Sequence, residues 1–219
     1  MKSNARLALL LPTVLCGLAG PALAATNLVR NGSFEADPAP NAYWSITETL
    51  TGWQGDPATI GGRFGGIELQ NQGFENLVAQ DGANWVELDT YRNSWMTQTV
   101  QATGWVELSF WYAARPGWAA GTQDLGFSLG SLKGTVLQGV AGGSTLQWQH
   151  YVGRVDLGSS GSAVLRFEAQ GLSDMAGGLL DNVSVTAVPE PATTALWLTG
   201  LGLVAVARSR SGARRISAR

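Results

Sequence analysis

From Trp105 to Tyr112 the chain alternates without a fault: Val106, Leu108 and Phe110 fall on one side, Trp105, Glu107, Ser109 and Trp111 on the other. A period of two belongs to an extended strand with one buried face; a helix would repeat every 3.6 residues. The same pattern returns in Asn84–Asp89, Ala163–Glu168 and Leu180–Thr186. Glycine pairs at 61–62, 65–66, 142–143 and 177–178 punctuate the stretches between them. No long helical apolar pattern interrupts residues 26–187. An all-β domain is therefore predicted, a jelly-roll β-sandwich of about eight to ten short strands.

The two ends obey other rules. Lys2 and Arg6 precede an uncharged stretch from Leu7 to Leu23, and Ala22-Leu23-Ala24 follows with the small residues of a signal-peptidase site. Export is expected, with cleavage between Ala24 and Ala25. At the far end, Val188-Pro189-Glu190-Pro191 is followed by 16 residues without a charge, Ala192–Ala207, and then by five arginines in the last 12 positions. As a helix the apolar run would span about 24 Å. That is short of the ~30 Å hydrocarbon core, but snorkelling arginines would let it cross. The arginines would stay cytoplasmic and the β domain would lie on the other side. The expected organisation is a signal peptide over 1–24, the sandwich over 25–187 and a sorting tail over 188–219. Within the tail, 189–191 is the motif, 192–207 the transmembrane helix and 208–219 the basic end.

Between Arg30 and Glu190 the chain has 7 basic and 16 acidic groups, a net of −9, although the whole sequence carries only −2. Such a surface repels polyanions, so nucleic acid is excluded as a partner. Neutral partners and divalent cations are favoured. The single cysteine, Cys16, lies in the exported head. A mature domain starting at Ala25 would hold no disulfide.

The order Pro189-Glu190-Pro191, short apolar helix, arginine cluster resembles the PEP-CTERM sorting signal of Gram-negative bacteria. The resemblance implies an exosortase partner, a membrane cysteine protease-transpeptidase that cleaves near the motif, and an association with exopolysaccharide and biofilm at the cell surface. A second resemblance rests on Asn27-Leu28-Val29-Arg30-Asn31-Gly32-Ser33-Phe34-Glu35 with Gly52-Trp53, on Gly82–Asp89, on Leu108–Pro116 and on Asp181-Asn182-Val183-Ser184-Val185. These segments are similar to galactose-binding-like jelly rolls, which include carbohydrate-binding modules and DUF642-type cell-wall domains. That likeness implies a structural Ca²⁺ held by Glu35 and Asp181, in a fold whose first and last strands lie side by side. Hard cations take such carboxylates together with carbonyl oxygens, here those of Asn31-Gly32-Ser33.

Eight of the nine tryptophans fall inside the predicted mature domain. Exposed indole faces stack on pyranose rings while neighbouring polar groups bind the hydroxyls. Alternation sets Trp85 with Glu87 and Asp89, and Trp105 with Glu107 and Trp111, on faces turned away from the aliphatic stripes. Arg92, Trp95 and Arg115 are further candidates for such a platform. Glu87 and Asp89, two apart on one strand, have the spacing of a glycosidase pair, but acids in that relation are common on solvated strands. His150 has no nucleophile motif beside it. Catalysis is therefore not expected. The expected function is an exported carbohydrate-binding module; the alternatives are a structural matrix protein without a ligand and a polysaccharide-modifying enzyme.

Overall fold

In a computed structural model, residues 26–60 and 62–188 are described. They form strands β1 (Trp44–Thr47), β2 (Thr49–Leu50), β3 (Trp53–Gly55), β4 (Thr59–Ile60), β5 (Arg63–Phe64), β6 (Ile67–Asn71) and β7 (Asn84–Glu87). These are followed by β8 (Trp95–Val100), β9 (Trp105–Ala113), β10 (Leu125–Leu129), β11 (Leu132–Val136), β12 (Gln149–Asp156), β13 (Ala163–Ala169) and β14 (Leu179–Ala187). One 3-10 turn, Phe74–Asn76, interrupts them. One six-stranded antiparallel sheet has the order β1-β6-β7-β14-β9-β12, the other β11-β10-β13-β8-β3-β2, and β4 and β5 form a small hairpin. The count exceeds eight to ten because β2, β3, β4 and β5 are pieces of two or three residues, too short to show a period.

The inward side chains of the two sheets interdigitate into one core. Val106, Leu108 and Phe110 of β9 are all fully buried, as their alternation requires. Phe110 is the hub: its ring meets Phe127 at 5.2 Å, Phe167 edge-on at 5.1 Å and Tyr151 at 4.8 Å. Complete burial of rings like these contributes about 1.5–3 kcal/mol each.

The register of β14 against β9 breaks between Asp181 and Ser184. Asn182, in the left-handed region at φ 47°, is the extra residue of this bulge. The break lets Leu180, Val183 and Val185 all enter the core. The opening segment lies along this strand, as expected for first and last elements side by side. Asn27 bridges Thr186, Leu28 N–H donates to Val185 carbonyl oxygen (2.8 Å), and Val183 N–H donates to Gly32 carbonyl oxygen (2.8 Å). A Cβ at Gly32 would collide with Val183 carbonyl oxygen, so only glycine permits this approach.

Candidate functional site

Alternation assigns the faces of the first sheet correctly, but the face turned away from the core is not free. The 3-10 turn with the chain after it, together with the 144–148 segment, folds over the β7 end of that face. Leu77, Trp85, Ala113 and Leu179 form a second buried cluster there, with Phe74, Ala79, Leu146 and Trp148 packed against it. Trp85 is 0 % exposed and its Nε1–H donates to Gln70 Oε1 at 2.6 Å. Glu87 and Asp89 are also fully buried and Arg115 nearly so. The expectation that Trp85, Glu87, Asp89 and Arg115 present a solvent-facing platform is therefore corrected. A single sheet face that looks outward in sequence becomes an interior once loops cover it.

These buried groups form a polar layer beneath an open pocket of about 290 Å³. Trp44 and Ile46 of β1 and Phe74 of the 3-10 turn line it, with Thr90 and Tyr91 from the β7–β8 loop, Met175 from the 171–178 segment, and Arg63, Glu68 and Arg115. Trp44 and Tyr91 are exposed. Arg115 makes a bidentate pair with Glu75, Nε to Oε2 at 2.8 Å and Nη2 to Oε1 at 2.6 Å, and lies over the Phe74 ring at 5.1 Å. Arg63 lies over the Tyr91 ring at 4.5 Å. Asp89 accepts backbone N–H groups of Asp174 (2.8 Å), Met175 (3.0 Å) and Ala176 (3.3 Å), so it fixes the segment that carries Met175 to the wall.

Glu68 and Glu87 are direct cross-strand partners on β6 and β7. Glu68 lines the pocket, its Oε1 accepting from Gln70 Nε2 at 2.8 Å. Glu87 lies behind it: Oε1 accepts from Asp89 N–H, and Oε2 is buried without a hydrogen-bond partner. Burial, and then the charge of Glu68, push the Glu87 carboxyl up to about 8. Burial raises Glu68 as well, against the pull of its Gln70 bond and of Arg115.

The other expected site residues are dispersed. Trp105 is 55 % exposed at the opposite end of β9. Trp111 is half-buried and stacked on His150 with ring centroids 4.6 Å apart, and Ser109 Oγ lies 2.7 Å from His150 Nε2. Trp95 lies on the second sheet under Arg166 (4.7 Å), and Arg92 is held by Asp56 (2.6 Å), so neither reaches the Trp85 layer. The pocket aromatics Trp44, Phe74 and Tyr91 were not among the expected residues. They converge from β1, a 3-10 turn and a loop, and no sequence spacing links them.

Glu35 and Asp181 meet the same segment, 80–84, and each does so as an acceptor. Glu35 Oε1 takes the N–H groups of Ala83 (2.8 Å) and Asn84 (2.7 Å). Asp181 Oδ2 takes those of Gln80 (2.9 Å) and Asp81 (3.0 Å), and Oδ1 that of Asn182 (2.6 Å). Burial pushes Asp181 up to about 7 despite these three donors. The carbonyls of Asn31 and Gly32, offered as further ligands, accept from Trp53 Nε1–H (3.1 Å) and Val183 N–H (2.8 Å). Among the described residues no group of three or more His, Cys, Asp or Glu is arranged to hold a metal ion. Three of the four carboxylate oxygens, Glu35 Oε1 and both of Asp181, are engaged by N–H donors, so the pair braces the 80–84 segment. Excess chelator is expected to leave the thermal midpoint unchanged. Glu35→Ala should lower stability by about 1–3 kcal/mol in a denaturant titration, because two amides lose their acceptor. A midpoint that rises on adding calcium would overturn this reading.

Residues 187–211 match a family model described as the PEP-CTERM protein-sorting motif. The tail is a PEP-CTERM signal. It marks an exported protein, held transiently in the membrane and sorted to the cell surface by an exosortase. Pro189, Glu190 and Pro191, the expected transmembrane helix, and Ala24 and Ala25 with the signal peptide lie outside the described residues. Among those that are described, no helix is long and apolar enough to cross a membrane. The search of curated proteins found no match. Among solved structures, a Stig cyclase from Fischerella sp. TAU, in complex with an indole, aligns at TM-score 0.54 and 15% identity over 77% of this chain and 100% of its own. At that identity the likeness is one of fold. The module TmCBM61 in complex with β-1,4-galactotriose aligns at TM-score 0.45, with 15% identity over 75% of this chain and 100% of its own. The CBM22-1 xylan-binding domain from Paenibacillus barcinonensis aligns at 0.40, with 16% identity over 78% and 100%.

Proposed function

We propose that the protein is a surface carbohydrate-binding module that engages exopolysaccharide through the Trp44–Phe74–Tyr91 pocket after exosortase processing. The observation that carries this reading is the pocket's composition: three aromatic side chains meet two guanidinium groups and a carboxyl in one open concavity. Rings supply stacking faces for sugars and the polar groups supply direction. Its position agrees. Val188 N–H donates to Trp105 carbonyl oxygen (2.9 Å), so the sorting tail leaves the sandwich at the Trp105 end of β9. Arg115 lies ten residues on, past the other end of β9, roughly 30 Å away along the strand. Before processing, the pocket would therefore face away from the membrane.

The full chain, purified in detergent, should bind the host's exopolysaccharide saturably in a calorimetric titration. Trp44→Ala and Tyr91→Ala should each weaken that binding about tenfold. An equal loss from Trp105→Ala alone would move the site to the β9 strip. A folded protein giving no heat would leave the structural matrix role as the reading. Processing has its own test. With Pro189-Glu190-Pro191 replaced by alanines, the tail should stay on and the protein should remain in the membrane fraction. A mature mass equal to that of the wild type would rule exosortase out.

A further inference from the structure

Resting on that reading, we infer that the pocket is built for a sugar carrying a free ammonium group, a hexosamine unit without its N-acetyl, and that Glu68 is the group that receives it. One carboxyl, Glu68 on β6, lines the pocket; Glu87 on β7, Asp89 just after β7 and Glu75 on the 3-10 turn lie around it, behind the lining. Two guanidinium groups face them, Arg115 after β9 and Arg63 on β5. Arg115 is taken up by its bidentate pair with Glu75. Arg63 lies on the Tyr91 ring. Asp89 is occupied by the 174–176 amides.

Glu68 and Glu87 therefore remain side by side without a direct ion pair, Arg115 acting on them only at longer range, and Glu87 Oε2 is fully buried with no partner. A polar atom left unpaired in the interior is costly, and a cation brought close relieves it. The walls suit the same ligand. Trp44, Phe74 and Tyr91 offer ring faces, which attract cations as well as stack on sugar rings. A neutral, N-acetylated unit would leave the two carboxyls as they are, whereas an ammonium group pairs with Glu68 and so offsets the charge beside the buried Glu87. Because burial, and then the charge of Glu68, hold a proton on Glu87 near neutral pH, an ammonium arriving at Glu68 should displace that proton to the buffer.

The test titrates the full chain in detergent with glucosamine oligomers and with their fully N-acetylated counterparts. The amine-bearing oligomers should bind about tenfold more tightly. That preference should shrink with added salt. The binding heat should change with the ionisation enthalpy of the buffer in the sense of proton release. E68Q should reduce the amine-bearing oligomers to the affinity of the acetylated ones. Should that variant misfold by circular dichroism, the buffer dependence of the wild type decides alone. Equal binding of both oligomers, or tighter binding of the acetylated one, would overturn the inference and leave glycan binding standing. Absence of binding to these oligomers and to the host's exopolysaccharide alike would remove both.

Discussion

Trp85→Ala is expected to destabilise the protein by about 3–5 kcal/mol, read as a drop in the urea midpoint with little change in slope. The indole is wholly buried between the first sheet and its covering loops, against Leu77, Ala113 and Leu179. Removing it opens a cavity under the chain that carries Phe74 to the pocket wall. It also strands Gln70, itself fully buried, whose Oε1 loses the indole N–H at 2.6 Å. Trp85→Phe separates the two contributions. It retains most of the apolar volume but leaves the Gln70 oxygen unpaired, at a cost of about 1–3 kcal/mol. An exposed sugar-stacking tryptophan would behave in the opposite way: its loss would move stability by less than about 0.5 kcal/mol and would act on glycan affinity alone.

That contrast marks where the sequence is legible and where it is not. Alternation in β7 and β9 tells correctly which side chains oppose the aliphatic core, because parity along a strand is a local property. Whether the opposite face meets water depends on loops arriving from elsewhere in the chain, and their composition does not record where they land. Trp85 and Trp105 open identical Trp-Val-Glu-Leu tetrapeptides, yet one is sealed beneath Leu77 and Leu146 and the other stands 55 % exposed. The opening and closing segments were legible for a different reason. Gly32 and the Asp181–Asn182 bulge are backbone requirements, and such requirements restrict residue choice where they occur. Glu35 and Asp181 both hold the 80–84 segment, and carboxylates serve amide N–H groups as readily as cations. Only the hydrogen-bond partners tell the two uses apart. The pocket is the least legible part, since Trp44, Phe74 and Tyr91 share no spacing.

Glu87 makes the stability of this domain depend on pH in an unusual direction. Its folded-state pKa is raised, first by burial and then by the neighbouring Glu68, from 4.5 to about 8. The folded protein therefore holds a proton that the unfolded chain gives up above pH 4.5. Its contribution to stability is present in full below the unfolded value and is lost as pH rises through the interval between the two. Burial shifts Glu68, Asp89 and Asp181 in the same sense, so the wild type should weaken steadily from mildly acidic to mildly alkaline solution. Glu87→Gln replaces the carboxyl by a neutral isostere that still accepts from Asp89 N–H. At pH 4 to 5, roughly the unfolded carboxyl range, variant and wild type should unfold at nearly the same denaturant concentration. Above about pH 8 the variant should be the more stable, by an amount on the order of a few kcal/mol. Two parallel curves would mean that Glu87 is ionised throughout, held by Arg115 across the layer. The variant would then be the less stable at neutral pH, because Arg115 would have lost a partner.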